Sequence, residues 1–188
     1  ETNLLARAEW IKLWGALFNC SIEADRIFTA TLQHYQALTQ KAQTAQKQPS
    51  IMSGLPYKDT WYMPGGKSFM GQLFKDANLS YYYSNNEQTS SLPLSFETVW
   101  YHFNKADIWI GIDANNQQEL LLMDERLHQF KAVKNNQLYH YRKRTTPQGG
   151  NDFWESAVVY PDKLLQDLLI VTHPEVMPND TTYYIAPL

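Results

Sequence analysis

Along the first forty or so residues, apolar side chains recur at helical spacing. Leu5, Trp10, Ile11, Leu13, Trp14 and Leu17 fall roughly on one broad face, and after a break at Asn19-Cys20-Ser21 the series Ala24, Ile27, Phe28, Thr31, Tyr35 and Leu38 resumes the rhythm. The spacing predicts two helices. Ser21 is placed to cap the second and Glu23 favours its first turn. That helix should run about twenty residues, roughly 30 Å at ~1.5 Å per residue. It should fray into the polar stretch Gln40 to Gln48 and close at Pro49.

From Ser50 onward short apolar runs alternate with turn signals. Ile51-Met52-Ser53 and Thr60-Trp61-Tyr62-Met63 read as strands around a Gly54/Pro56 turn, and Pro64-Gly65-Gly66 leads into a helix with Met70, Leu73 and Phe74 on one side. Leu79 to Tyr83 reads as a strand and Ser84 to Ser91 as a polar loop. Ser95 is placed to cap a helix in which Phe96, Val99, Trp100 and Phe103 stand at i, i+3, i+4 and i+7. Ala106 to Ile112 is the best strand of the chain, and its near-continuous apolar character suits a buried parallel strand. A helical segment around Gln117 to Phe130 and a strand at Leu138 to Tyr141 follow. Pro161 can open a last helix, with Leu164, Leu165, Leu168 and Leu169 as its buried face. Two helices followed by alternating strand and helix predict an α/β fold: a three-layer, Rossmann-like lobe with a mostly parallel sheet, preceded by one long helix.

Composition narrows the function classes. A chain of 188 residues suits one domain with a proper core. The 6 Trp, 12 Tyr and 8 Phe serve either a recognition surface or a large core. A net charge of -3, from 16 basic and 19 acidic residues, leaves no electrostatic footprint for a polyanion and argues against a nucleic-acid partner. Cys20 is the sole cysteine, so neither an internal disulfide nor a thiolate metal cluster can form. Apolar runs such as Leu168-Leu169-Ile170-Val171 are too short to span a bilayer, and a start at Glu1 without Met reads as a processed product or a fragment.

In an open α/β sheet, ligands meet the loops at the carboxyl ends of strands. Three loops qualify. Tyr62 to Ser68 places backbone N–H groups at a helix start, but its glycine pair lacks the spacing of a phosphate-binding loop. Ser84 to Ser91 could offer a hydrogen-bonding surface but reads first as a solvated connection. The third loop runs from Arg142 through Lys143 and Arg144 to Gly149-Gly150-Asn151-Asp152-Phe153-Trp154-Glu155-Ser156. Its glycines, short polar side chains and paired aromatics suit a binding loop, and a core plug before a helix equally well. His34, His102, His128, His140 and His173 lack metal-ligand spacing, so no metal site is expected. Asp152 and Glu155 stand three apart without a companion nucleophile, so no catalytic residue and no enzyme activity are expected.

Four runs taken in order carry a resemblance. They are Trp61 to Met70, Ser91 to Glu97, Ala106-Asp107-Ile108-Trp109 and Gly149 to Ser156. Together they resemble the carboxyl-terminal lobe of a substrate-binding protein of an ABC importer, in the helical-backbone class serving iron-siderophores, haem and cobalamin. Members of that class hold their ligand between two α/β lobes joined by one long helix. The resemblance implies that residues 1–48 are a helical segment including the inter-lobe helix, that 49–188 are the carboxyl-terminal lobe, and that the amino-terminal lobe lies largely outside this chain. Glu97 matches the acidic residue with which the cobalamin-binding relatives dock on their permease. Asp152-Phe153-Trp154-Glu155 resembles a ligand-touching stretch of those relatives, although Ser156 replaces a basic residue and Ser91 stands near a missing Trp.

The resemblance implies ligand contacts at Trp61, Tyr62, Asn151, Asp152 and Trp154, with Arg142 as the partner of an anionic group. The implied function is capture of a ferric siderophore or haem, without a resident cofactor, and delivery to a permease with its ATPase. A corrinoid is the alternative ligand. The implied location is the periplasm or the cell surface, tethered through the permease or through a lipid anchor outside this chain. A rival of another class is an α/β nucleotide-binding enzyme domain using the Gly65-Gly66 helix start.

Overall fold

A computed structural model describes residues 3–188, so the first two residues of the expected helical segment lie outside the described residues. The amino-terminal pattern folds into α1 (Leu4–Glu9), α2 (Ile11–Leu17) and α3 (Ser21–Ala42). The first expected helix is thus broken at Trp10, which ends α1 and begins α2. Its expected buried face is largely open: Trp10, Leu13, Trp14 and Leu17 are exposed. Helix α3 matches its predicted span and buries Ala24, Phe28, Thr31, Tyr35, Leu38 and Ala42. Cys20, not Ser21, holds the N-cap position, without a side-chain cap.

The main sheet has four strands in the order β1 (Ile51–Ser53), β5 (Ile108–Ile110), β6 (Leu138–His140), β7 (Ala186–Pro187). The first three pair in parallel and β7 closes the edge antiparallel. The middle strand β5 is buried at every position, as its apolar run predicts for a strand covered on both faces. The closing edge is pinned by one carboxylate. Asp167 on α9 (Pro161–Thr172) accepts the backbone N–H groups of Tyr183, Tyr184 and Ile185 at 2.6, 2.5 and 2.9 Å.

The expected strand at Thr60 leaves the main sheet. β3 (Thr60–Pro64) pairs antiparallel with β2 (Pro56–Tyr57) on one side and with β4 (Ser91–Leu94) on the other. β4 was hidden because it contains Pro93, which fits a strand only at an edge, where its missing donor costs no ladder bond. Conversely, Leu79 to Tyr83 contributes only a bridge between Ser80 and Ser50 before the chain turns, and Tyr81 sends its hydroxyl to the Pro64 carbonyl at 2.6 Å.

Helices α4 (Phe69–Asp76) and α5 (Phe96–Phe103) are capped by Ser68 and Ser95, which accept the N–H groups of Gly71 and Thr98. The expected helix over 117–130 divides into α6 (Gln117–Met123) and a 3-10 turn, Glu125–Gln129. Asp124 causes the break: its extended backbone and its carboxylate, which accepts the Arg126 N–H at 2.9 Å, restart the chain in a new direction. Two short helices, α7 (Lys131–Lys134) and α8 (Asp152–Ser156), complete the set.

Candidate functional site

A cavity of about 420 Å³ opens where the main sheet's strands end. Ser53 and Gly54 reach it from the end of β1, Gly111 from the end of β5 and Tyr141 from the end of β6. This is the edge at which α/β sheets hold ligands. Phe153, Trp154, Ala157 and Val158 supply one wall; Tyr62, Phe69 and Met70 supply another, and Arg7 of α1 and Ser91 of β4 complete the lining. The Arg7 guanidinium lies 5.2 Å from the centre of the Phe69 ring.

Strand geometry explains which aromatics face it. Side chains of successive strand residues point to opposite faces. In β3, therefore, Trp61 and Met63 turn inward while Tyr62 turns out. Tyr62 is half exposed and lines the cavity. Trp61, expected as a ligand contact, lies beneath the cavity and does not line it. It has no exposed surface, packs against Trp109, Phe96 and Phe130, and donates its Nε1–H to the Ser53 carbonyl at 3.0 Å. Its work is core packing beneath the site.

Around Tyr141 the packing is tight. Its ring stacks on Phe153 with centroids 4.2 Å apart and planes 6° from parallel. A Cβ on Gly111, whose φ is +74°, would sit 2.8 Å from the Tyr141 ring, so only glycine allows this approach. Burial pushes the Tyr141 phenol well up, with Ser53 opposing in part. The Tyr141 hydroxyl itself is buried and meets no partner in hydrogen-bond geometry.

The Gly149 to Ser156 run divides its labour. Gly149 and Gly150 form a turn, with the Gly149 N–H on the Thr146 carbonyl at 2.9 Å and the Thr146 N–H on the Gly150 carbonyl at 2.8 Å. They approach no ligand space. Asn151 caps α8 by accepting the Phe153 N–H, and Asp152 takes the Arg144 Nε–H at 2.8 Å. Neither lines the cavity. Phe153 is the buried stacking partner, and Trp154, 74 % exposed, presents its indole to the opening.

Arg142 also points elsewhere. Its guanidinium bonds the Ala114 carbonyl and Asn115 Oδ1, both at 2.9 Å, and lies 3.3 Å from Asp113. It ties the loop after β5 to the end of β6 and does not face the cavity. Beside it, His140 Nδ1 accepts the Arg142 N–H at 2.9 Å. Burial, then the Arg142 charge, pushes the His140 imidazole below its ordinary range, against a smaller pull from Asp113.

Of the expected contacts, the cavity thus gathers Tyr62 and Trp154, and leaves Trp61, Arg142, Asn151 and Asp152 outside it. Arg7 and Tyr141 are lining residues that sequence reasoning missed, and Phe69, Met70 and Phe153 were named only as parts of motifs. Periodicity could have found Tyr141, the last position of an expected strand at the ligand-binding edge. Nothing local marks Arg7, which reaches the site from the far end of the chain.

Two other features of the sequence resolve here. The Gly65-Gly66 loop is packed, not open. Gly65 and Lys67 donate their N–H groups to the Ser90 and Gln88 carbonyls, and Lys67 pairs with Glu87. A Cβ on Gly66 would meet the Asn86, Tyr83 and Ser84 carbonyls at 2.4 to 2.6 Å. These glycines seat the Ser84 to Ser90 loop, and their close approach is to backbone, not phosphate. Glu97, in the first turn of α5, is exposed and borders a groove of about 660 Å³ with Lys58, Asp59 and Arg126. Its own backbone N–H, the Ser95 hydroxyl and then Arg126 hold its carboxyl below the usual range. Among the described residues no cluster of three His, Cys, Asp or Glu side chains is placed to hold a metal ion, and no helix is long and apolar enough to cross a membrane.

Comparison with known proteins fits this geometry. An uncharacterized lipoprotein of Methanocaldococcus jannaschii is 23 % identical over 188 residues, covering 98 % of this chain and 43 % of its own length. The chain therefore spans less than half of that relative. Among solved structures, the TroA-like periplasmic binding protein FepB from Veillonella parvula superposes with a TM-score of 0.72 at 14 % identity, over 99 % of this chain and 62 % of that one. The periplasmic heme-binding protein RhuT from Roseiflexus does so with a TM-score of 0.71 at 15 % identity, over 93 % and 65 %. At identities this low the superpositions show a shared fold alone. The periplasmic binding protein profile matches residues 1–145 of the 188, and the chain belongs to that family.

Proposed function

We propose that this chain is the ligand-holding carboxyl-terminal lobe of an ABC importer's solute-binding protein, which captures a ferric siderophore or haem and delivers it to a permease without catalysing a reaction. The aromatic cavity at the carboxyl ends of β1, β5 and β6 carries this reading. Tyr62, Phe69, Phe153 and Trp154 offer broad apolar faces to a chelate, and Arg7 brings a positive charge to the same space. A heme-binding protein among the structural neighbours supports the ligand class. Lipoprotein relatives support a periplasmic or cell-surface location.

On this reading residues 1–48 include the inter-lobe helix α3, residues 49–188 are the lobe, and the remainder of a longer protein supplies the facing wall. Two observations support that division. The chain spans 43 % of a relative's length, and Trp10, Trp14, Leu17, Phe18 and Ile22 hold out an apolar surface that is 51 to 88 % exposed. Patches of that kind mark contact surfaces. Glu97 is the docking residue toward the permease: an exposed carboxylate on a capped helix start, kept ionised by its surroundings.

The test is a titration of the natural full-length chain with haemin, a ferric hydroxamate siderophore and cyanocobalamin, followed by Trp fluorescence, with ATP and NAD in parallel. Haemin or the siderophore should quench the fluorescence saturably. Binding of ATP or NAD, with none of the three chelates bound, would overturn the transporter reading in favour of a nucleotide-binding enzyme. Binding of cyanocobalamin alone would move the ligand to the corrinoid class.

A further inference from the structure

Three buried side-chain polar atoms among the described residues have no hydrogen-bond partner: the Tyr141 hydroxyl, Asp162 Oδ1 and His173 Nδ1. The last two belong to side chains anchored through their other polar atom. Asp162 Oδ2 meets His34 Nδ1 at 2.8 Å, and His173 Nε2 meets the Ala77 carbonyl at 2.9 Å. Tyr141 has only its hydroxyl, which has the Ser53 side chain nearby but no partner in hydrogen-bond geometry. Native proteins seldom leave such a group unsatisfied, because it loses water without replacement.

Nothing in the packing forces this arrangement for stability's sake. The ring is clamped between the Gly111 backbone and the Phe153 face, so its direction is set by apolar contact. A phenylalanine would fill the same clamp without the orphaned atom. Tyr141 lines the cavity at the strand end where a ligand would enter, among mostly aromatic and aliphatic side chains, with Arg7, Ser53 and Ser91 as its other polar lining.

We propose that the Tyr141 hydroxyl is the specificity-determining anchor of the cavity, donating a hydrogen bond to an anionic oxygen of the bound chelate. This rests on the solute-binding reading above. The chemistry required of the ligand is an apolar or aromatic face bearing a carboxylate or hydroxamate oxygen. The phenol stays protonated in its buried setting and so acts as a donor. Trp154, 74 % exposed, lines the same cavity.

The experiment compares the natural full-length chain with its Tyr141→Phe and Ser53→Ala variants. Each is titrated with haemin, a carboxylate-bearing ligand, and with ferric desferrioxamine, a hydroxamate, and its thermal midpoint is recorded without ligand. Tyr141→Phe should weaken binding of whichever chelate the parent takes by at least about tenfold, while its midpoint stays level or rises, because an unsatisfied polar atom has been removed. Undiminished affinity in Tyr141→Phe, with the parent binding normally, would sink the assignment and leave the solute-binding reading standing. So would equal falls in midpoint for Tyr141→Phe and Ser53→Ala, which would make the hydroxyl one half of a structural pair. A parent that bound neither probe would remove the ferric siderophore or haem as ligand and this assignment with it.

Discussion

Trp61 and Trp154 separate the two uses of a large aromatic in this molecule. Trp61 is fully buried at the centre of a ring cluster with Trp109, Phe96 and Phe130, so Trp61→Ala should cost about 3–5 kcal/mol of stability in a denaturant melt. Trp154 stands 74 % exposed at the cavity. Trp154→Ala should leave stability within about 0.5 kcal/mol of the parent and weaken chelate binding, read from the same titration. His140 predicts a pH dependence. Its folded-state imidazole is pushed below the ordinary value of 6.5 by burial, so below that pH the unfolded chain takes up a proton that the folded chain refuses. Stability should be fully present above pH 6.5 and fall as the pH drops through the lower folded value. His140→Gln should flatten that part of the stability profile, and an unchanged profile would remove His140 from the account. For Glu97, Glu97→Ala should weaken permease-coupled uptake while leaving chelate affinity intact.

At the level of elements, capping and close packing carry the positions that matter. Asn151 caps α8, the short helix that delivers Phe153 and Trp154 to the cavity. Asn151→Ala should cost about 0.5–2 kcal/mol, and because α8 is only 5 residues long the loss should also blunt ligand binding. Gly66 packs against three carbonyls of the Ser84 to Ser90 loop, so Gly66→Ala should cost about 1–3 kcal/mol by overpacking. The measurement is thermal unfolding, and a neutral result would mean that the loop moves aside freely. Elements with strong periodicity were legible from the chain: α3, α4, α5 and α9, and the parallel strands β1, β5 and β6. β4 was not, because a proline inside a short run reads as a breaker until an edge is known to be available. The break at Asp124 escaped for a similar reason, since a polar residue within an apolar rhythm can face solvent on one helix or cap the next.

Across the whole molecule, the exposed apolar side chains of α2 and the start of α3 do not line the cavity, and Cys20 lies exposed between those two helices. If the remainder of a longer protein covers that surface, a maleimide should label Cys20 rapidly in the 188-residue chain and at least tenfold more slowly in the natural full-length protein. Peptide mapping locates the label, and equal rates would leave the apolar surface uncovered. The sequence by itself determined the alternation of helices and strands, the buried middle strand and the α/β class, because each is written in the spacing of apolar residues along a few turns of chain. It also named the loop after β6 as a candidate, and Trp154 of that loop lines the cavity. Tertiary structure alone decided which side chains meet there. Pairing of β5 with β6 brings Arg142 to the loop after β5, where Asp113, Ala114 and Asn115 take its charge and donors. The fold of α8 against β6 makes the Tyr141 and Phe153 stack, and α1 carries Arg7 from the start of the chain to the same cavity. These contacts join residues far apart in sequence, and local periodicity holds no record of such distances.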